Sequence, residues 1–450
     1  MSGKVSTDEG RVADLTVSLE VQERARRLIP GMTQLLSKRP DQFSAGIWPG
    51  YFQDAKGAEV WDLDGNRYLD MSISAIGATV LGYADPDVDS AVIEAIRRGV
   101  SSSLNCQEEV VLAERLVDLH AWADMVRYAR TGAEAMAIAV RIARARTGRC
   151  TVAFCGYHGW QDWYLAANLA GNDALDGQLL PGLDPNGVPP GLIGTALPFE
   201  FNRLDKLETI IEANRADLAA IVMEPIRDHE PDPGFLDGVR ALADDVGAVL
   251  IFDEISSGLR LVTGGAHLVL GVNPDVAVFS KALGNGYAMA AVIGRADVME
   301  AAQKSFISST NWTERIGPSA ALAVLEKHER LDVATRLNQL GTRIQDGWTA
   351  AGERHELPMS VSGIPPLSKL IFRVEEPLVL KSLYIQLMLE RGFLASTLYY
   401  AMFAHTDEHV DQYLKAVDEV FEEISEAYRS GRASAALRGR PAVAGFGRLA

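Results

Sequence analysis

Four positions of chemically useful type stand where apolar, β-branched runs give out. Glu224 closes "LAAIVME", Asp253 closes "AVLIFD", Lys281 follows "VAVFS", and Thr131-Gly132 follows "MVRYAR" where a helical pattern begins. In an open parallel sheet ligands gather at the carboxyl ends of strands, so these positions are expected along one edge. Each alone has an ordinary explanation: strand-end acids cap helices, strand-end lysines are solvated, and Thr-Gly starts many helices. Together they supply what pyridoxal phosphate chemistry requires, namely a Schiff-base lysine, a carboxylate for the pyridinium nitrogen and a seat for the phosphate. Lys281 takes the first role and, once freed by an incoming amine, moves the proton between substrate carbon and cofactor. Asp253 keeps the ring nitrogen protonated, so that the ring accepts the electron pair left on that carbon. Thr131, Gly132 and Ala133 are expected to turn backbone N–H groups toward the phosphate, at the positive end of a helix starting near Glu134. Tyr157, directly after the strand-like "CTVAFC", is either the aromatic stacked on the ring or plain core packing.

The elements that must hold these groups follow from periodicity. Between about Ala75 and Leu325, β-branched runs alternate with helical patterns ("AEAMAIAVRIARART", "GFLDGVRALADDV"), which indicates βαβ units. The expected fold is α/β, with a large domain whose mostly parallel sheet is flanked by helices and a small α+β domain drawn from both termini. The expected divisions are residues 1–75, 76–325 and 326–450. The first 15 or so residues read as mobile, and "LEVQERARRLIPG" reads as a helix stopped by Pro30-Gly31. "AEVWDLDGNRYLDMS" reads as a hairpin around Asp64-Gly65-Asn66. No internal repeat is present.

Composition removes other classes. The 450 residues are 48% apolar, enough for a large core, and the net charge of −17 disfavours nucleic acid and anionic membrane surfaces. A small anion can still be held by local backbone dipoles. Three cysteines without a C-x-x-C pair suggest neither a disulfide framework nor a zinc site. No apolar run of ~18 residues and no secretory segment is found, so a cytoplasmic protein is expected, with no metal. Gly284 and Gly286 in "SKALGNG" do not complete a dinucleotide fingerprint.

The ordered motifs "WDLDGNRYLD", "RTGAEA", "YHGW", "MEPI", "LIFDEISSGLR", "FSKALGNG" and "FAHTDEHVDQYLKAV" run through nearly the whole chain. In this set the chain resembles the class III pyridoxal-phosphate aminotransferases of fold type I, on the glutamate-1-semialdehyde aminomutase-like branch. The resemblance implies a homodimer with shared active sites, in which Thr313, five residues before Pro318, reaches the phosphate bound by the neighbouring subunit. It implies that Ile255 packs under the cofactor ring opposite Tyr157, and strand alternation past Asp253 agrees. It also implies that Glu224 lies close to the cofactor, with His229 as the donor to the ring hydroxyl.

Departures from the family pattern restrict the substrate. Ala133 replaces a hydroxyl residue, so one phosphate hydrogen bond is left to backbone, water or Arg130. Ile76 stands where many relatives have a tryptophan, and Thr397 where the mutases have a glutamate. Transamination between small-molecule amines and carbonyl compounds therefore ranks ahead of intramolecular amino transfer, as in a 2,1-aminomutase. A noncatalytic binding relative ranks last, since Lys281 and Asp253 are both kept. Bland readings are preferred for His267 (a flexible loop over the site), Cys155 (a small buried hydrophobe) and Arg260 (a structural ion pair). His158 either touches the cofactor's surroundings or holds its loop.

Overall fold

The computed structural model describes residues 14–171, 173–178 and 182–445, so most of the stretch expected to be mobile at the N-terminus lies outside the described residues. The chain forms two compact units, one from residues up to Asp85 together with Arg336–Ala444, the other from Pro86–Thr335.

In the first unit, helix α1 (Thr16–Leu28) stops just before Pro30-Gly31. Strands β1 (Phe52–Lys56), β2 (Glu59–Asp62) and β3 (Arg67–Met71) form an antiparallel meander, with the expected hairpin between β2 and β3.

The second unit is built on a seven-stranded sheet of β4 (Met125–Ala129), β5 (Thr151–Cys155), β6 (Ala196–Pro198), β7 (Leu218–Met223), β8 (Val249–Asp253), β9 (Val276–Phe279) and β10 (Ala290–Gly294). Its order is β4-β10-β9-β8-β7-β5-β6, and β10 alone runs antiparallel to its neighbours. Strands β5, β7, β8 and β9 are buried along their whole length, which is why they read as continuous apolar runs without alternation. Alternation instead divides them between two cores. Val152, Phe154, Val222, Ile251 and Val278 join the cluster under helix α2 (Gly132–Thr147); Ala153, Cys155, Ile221, Met223, Leu250 and Phe252 join the one under α3 (Phe235–Val246). Helices therefore cover both faces, and the edge formed by the strands' carboxyl ends is left for polar residues.

The C-terminal part returns to the first unit. It adds β13 (Phe393–Ala395) in parallel to β3, and a small antiparallel sheet of β11 (Met359–Ser362), β12 (Leu367–Phe372) and β14 (Leu398–Tyr400). No helix among the described residues is long and apolar enough to cross a membrane.

Candidate active site

Strand β8 ends on Asp253, whose carboxylate is 2% exposed. Its Oδ1 accepts the Ile255 backbone N–H at 3.0 Å and its Oδ2 lies 2.8 Å from His158 Nδ1. His158 gets there because β5 ends on Cys155 and the chain doubles back at Gly156, at φ +108. The imidazole Nε2 then donates to the Cys155 carbonyl at 3.0 Å. A side chain at Gly156 would be strained by that φ, and its Cβ would lie 2.8 Å from Glu224 Oε2. Of the two readings open for His158, the structure shows both a hold on its own loop and a direct contact to the strand-end aspartate.

Tyr157 packs partly buried against the core under α2, edge-on to Tyr164 with ring centroids 5.9 Å apart. Its backbone N–H donates to Glu224 Oε2 at 3.3 Å, and burial raises its phenol pKa. Glu224, just past β7, pairs with Arg227 at 2.8 Å. His229, on the same segment, is exposed.

Lys281 lies two residues beyond β9 in the left-handed region, at φ +46. A non-glycine residue there costs about 1–2 kcal/mol, and such strain gathers where neighbours over-determine a functional conformation. Its Nζ donates to Ser256 Oγ at 2.7 Å. Burial, and then the Arg227 cation, lower the amine to about 8, while Glu224 and Asp253 pull it upward. An amine at about 8 is about one-tenth unprotonated at pH 7, far more than an ordinary lysine. Arg260, fully buried, reaches back to the Ser256 carbonyl at 3.4 Å.

At the start of α2, Thr131 and Glu134 form a capping box. Glu134 Oε2 accepts the Thr131 N–H at 3.0 Å and the Arg130 N–H at 3.2 Å, and the first helical bond runs from Ala135 N to the Thr131 carbonyl. The Thr131 N–H is therefore engaged, contrary to the expectation that it faces an anion. Gly132 and Ala133 are the residues whose N–H groups point out of the helix end without an intrahelical acceptor. Arg130 is engaged too. It donates to the Trp312 and Glu314 carbonyls at 2.9 and 2.8 Å and pairs with the Glu314 carboxylate at 2.9 Å. It fastens the segment that carries Thr313, an exposed residue whose hydroxyl donates to the Thr310 carbonyl at 3.0 Å.

Ile255 lies two residues past the end of β8 at Asp253, so strand alternation does not orient it. Its position comes from packing: a Cβ on Gly132 would lie 2.7 Å from Ile255 Cδ1, so the isoleucine rests directly on the first residue of α2. The loop around His267 is likewise no flexible cover. His267 is fully buried, its Nδ1 2.8 Å from Glu254 Oε1 and its Nε2 accepting from the Trp122 indole at 2.9 Å. Ile76 and Thr397 belong to the other compact unit, where Ser74, Ala75 and Ile76 run in succession at positive φ.

Arg227 and Ser256 escaped the reading of the sequence. Each stands three residues past a strand-end acid, in "EPIR" and "DEIS", a spacing that one turn of backbone converts into proximity.

The site thus presents an amine, two carboxylates, an aromatic ring and an open helix N-terminus on the carboxyl edge of one sheet. The family model for class-III aminotransferases matches residues 47–420. The chain belongs to the class III aminotransferases. This class III aminotransferase is 34% identical to 3-aminobutyryl-CoA aminotransferase of Cloacimonas acidaminovorans (strain Evry) over 427 residues, covering 91% of this chain and 98% of that protein. It is 31% identical to glutamate-1-semialdehyde 2,1-aminomutase 2 of Lachnoclostridium phytofermentans, covering 90% and 99%. Among solved structures, an omega-transaminase from Sphaerobacter thermophilus superposes with a TM-score of 0.80 at 26% identity, covering 94% of this chain and all of that one. The aminotransferase is accordingly a fold type I enzyme dependent on pyridoxal 5'-phosphate. The residues present fit that cofactor: open amides at Gly132 and Ala133 suit a phosphate, and Asp253 suits a protonated ring nitrogen.

Proposed function

We propose that Lys281 is the catalytic amine of a transaminase acting on small-molecule amines and carbonyl compounds, and that Asp253 is its carboxylate partner at the ring nitrogen. The observation that carries this reading is geometric: the Lys281 amine, 2.7 Å from Ser256 Oγ, and the buried Asp253 carboxylate, 2.8 Å from His158, stand on the carboxyl edge of one sheet. Pyridoxal phosphate, when bound, supplies the electron sink that makes the substrate C–H bond acidic. The chain's own groups do the rest. Lys281 would take the proton from the substrate carbon and deliver it to the carbon on the far side of the shared nitrogen, a task suited to an amine with a pKa near working pH. Asp253, held by His158, keeps a negative charge against the ring nitrogen. Gly132 and Ala133 hold the phosphate, and Tyr157 and Ile255 are assigned the two faces of the ring. Glu224 and Arg227 lie beside the amine and set its charge environment.

The homodimer belongs to this proposal, with Thr313 reaching the partner's phosphate. Its exposure and its fastening by Arg130 support that role. Three unpaired cysteines, Cys106, Cys150 and Cys155, favour a reducing, cytoplasmic setting. The relative named for a coenzyme A thioester of a 3-amino acid makes 3-amino acid derivatives the first donors to try. The test is a donor panel with product mass spectrometry. A transaminase releases a carbonyl product and needs an external acceptor to turn over, whereas a mutase returns the amine to the same molecule.

A further inference from the structure

Apart from the Thr313 hydroxyl assigned to the neighbouring subunit's site, the side chains of this chain expected near the phosphate seat offer it no free donor. The Thr131 hydroxyl and N–H face Glu134, the Arg130 guanidinium is held by Trp312 and Glu314, and Ala133 carries only a methyl group. One polar side chain beside the seat is unaccounted for. Gln161 is pinned through its backbone carbonyl, which accepts from the Tyr164 and Leu165 N–H groups at 3.0 and 3.1 Å. Its carboxamide oxygen is sealed from solvent and has no hydrogen-bond partner among the described residues. Gly159 explains the approach. At φ +105 it bears no side chain, and a Cβ there would lie 2.7 Å from Ala133 Cβ and 2.9 Å from Gln161 Oε1. The bare glycine therefore lets the carboxamide come up beside the first turn of α2.

The side chain as a whole is only partly buried, but its oxygen is a sealed acceptor left unsatisfied, and an atom in that state calls for a partner outside the chain or a reorientation of the amide. A half-turn about its last bond exchanges oxygen for NH2 and gives the same position a donor. We propose that Gln161 is a phosphate-binding residue, its side-chain amide donating to the cofactor phosphate in the role that the methyl of Ala133 cannot fill. The proposal rests on pyridoxal phosphate occupying this site.

The test compares two ligands on apoprotein freed of cofactor. Wild type, Gln161→Leu and the near-isosteric Gln161→Glu are titrated with pyridoxal phosphate and with pyridoxal, and binding is read by absorbance. Both variants should lose about tenfold or more in affinity for pyridoxal phosphate, Gln161→Glu the most, while affinity for pyridoxal stays at the wild-type value. Phosphorus NMR of the bound cofactor should shift between wild type and Gln161→Leu. Unchanged affinity for pyridoxal phosphate in both variants, or equal losses for the two ligands, would overturn the assignment of Gln161. Failure of the wild type itself to take up pyridoxal phosphate would instead strike at the cofactor reading.

Discussion

His158 bridges Asp253 and the end of β5: its Nδ1 lies 2.8 Å from Asp253 Oδ2 while its Nε2 donates to the Cys155 carbonyl 3.0 Å away. A carbonyl oxygen only accepts, so Nε2 carries a proton, and the short contact to the carboxylate requires a second one between Nδ1 and Oδ2. That contact ties the imidazole to the carboxylate and holds the aspartate in place. Replacing His158 with Leu should lower turnover by about tenfold or more and destabilise the protein by about 2–4 kcal/mol, since a buried carboxylate loses its side-chain partner. Asp253→Ala should cost at least about a hundredfold in turnover. Steady-state kinetics and thermal unfolding check both; a full-speed His158→Leu enzyme would contradict the coupling.

The environment of Lys281 predicts a pH dependence. With the amine at about 8, its reactive unprotonated form grows as pH rises, so capture of pyridoxal phosphate by the apoprotein should speed up about tenfold between pH 7 and 9 and then level off. Arg227 lowers the amine and Glu224 raises it, so Arg227→Met should move the midpoint up and Glu224→Gln should move it down. Stopped-flow rates across pH read the midpoint directly. A midpoint that stays put in both variants would show that the pair does not act on Lys281.

The buried Glu254 network predicts a stability effect away from the chemistry. Burial pushes the Glu254 carboxyl pKa up, but hydrogen bonds from the His267 ring and backbone N–H and from Ser257 outweigh it and leave the group below its usual range. A depressed carboxylate contributes stability above its unfolded value of 4.5, and loses it as pH falls through the lower folded value. His267→Leu should remove about 3 kcal/mol at pH 7, and the gap from wild type should narrow on acidification below pH 4.5. Denaturant melts at several pH values measure this.

Much of this site was legible because strands announce where they end. Lys281, Asp253 and Glu224 stand out as polar residues closing apolar runs, and the sheet brings all three to one edge. Gly132 was legible as a helix start, but Thr131's N–H was misassigned because the capping box with Glu134 competes for it, a competition visible in the Thr-x-x-Glu spacing. Arg227 and Gln161 were hidden for a different reason, and His158 was legible only as two alternatives. Each lies on irregular backbone that returns to the edge through a glycine or a tight turn, and such paths leave no periodic signal. Ile255 was named for its packing under the ring, yet the supporting periodicity ended two residues too soon.

Shared active sites predict complementation. A Lys281→Ala chain and a Thr313→Ala chain, unfolded together and refolded as a mixture, should form heterodimers with one intact site each. Random pairing should then restore activity to about a quarter of the wild-type level, above the mean of the two separate variants if each is impaired. Mixing without recovery would place Thr313 outside the partner's site.

A single half-reaction decides whether Lys281 drives amino transfer to an external acceptor. Protein loaded with pyridoxal phosphate is mixed with an amino donor and no acceptor, while absorbance follows the cofactor and mass spectrometry follows the substrate. The expected result is one equivalent of carbonyl product per site, cofactor left in its aminated form, and no reaction with Lys281→Ala. Carbonyl release at the wild-type rate from Lys281→Ala, or a donor returned only as its positional isomer by the wild type, would contradict it.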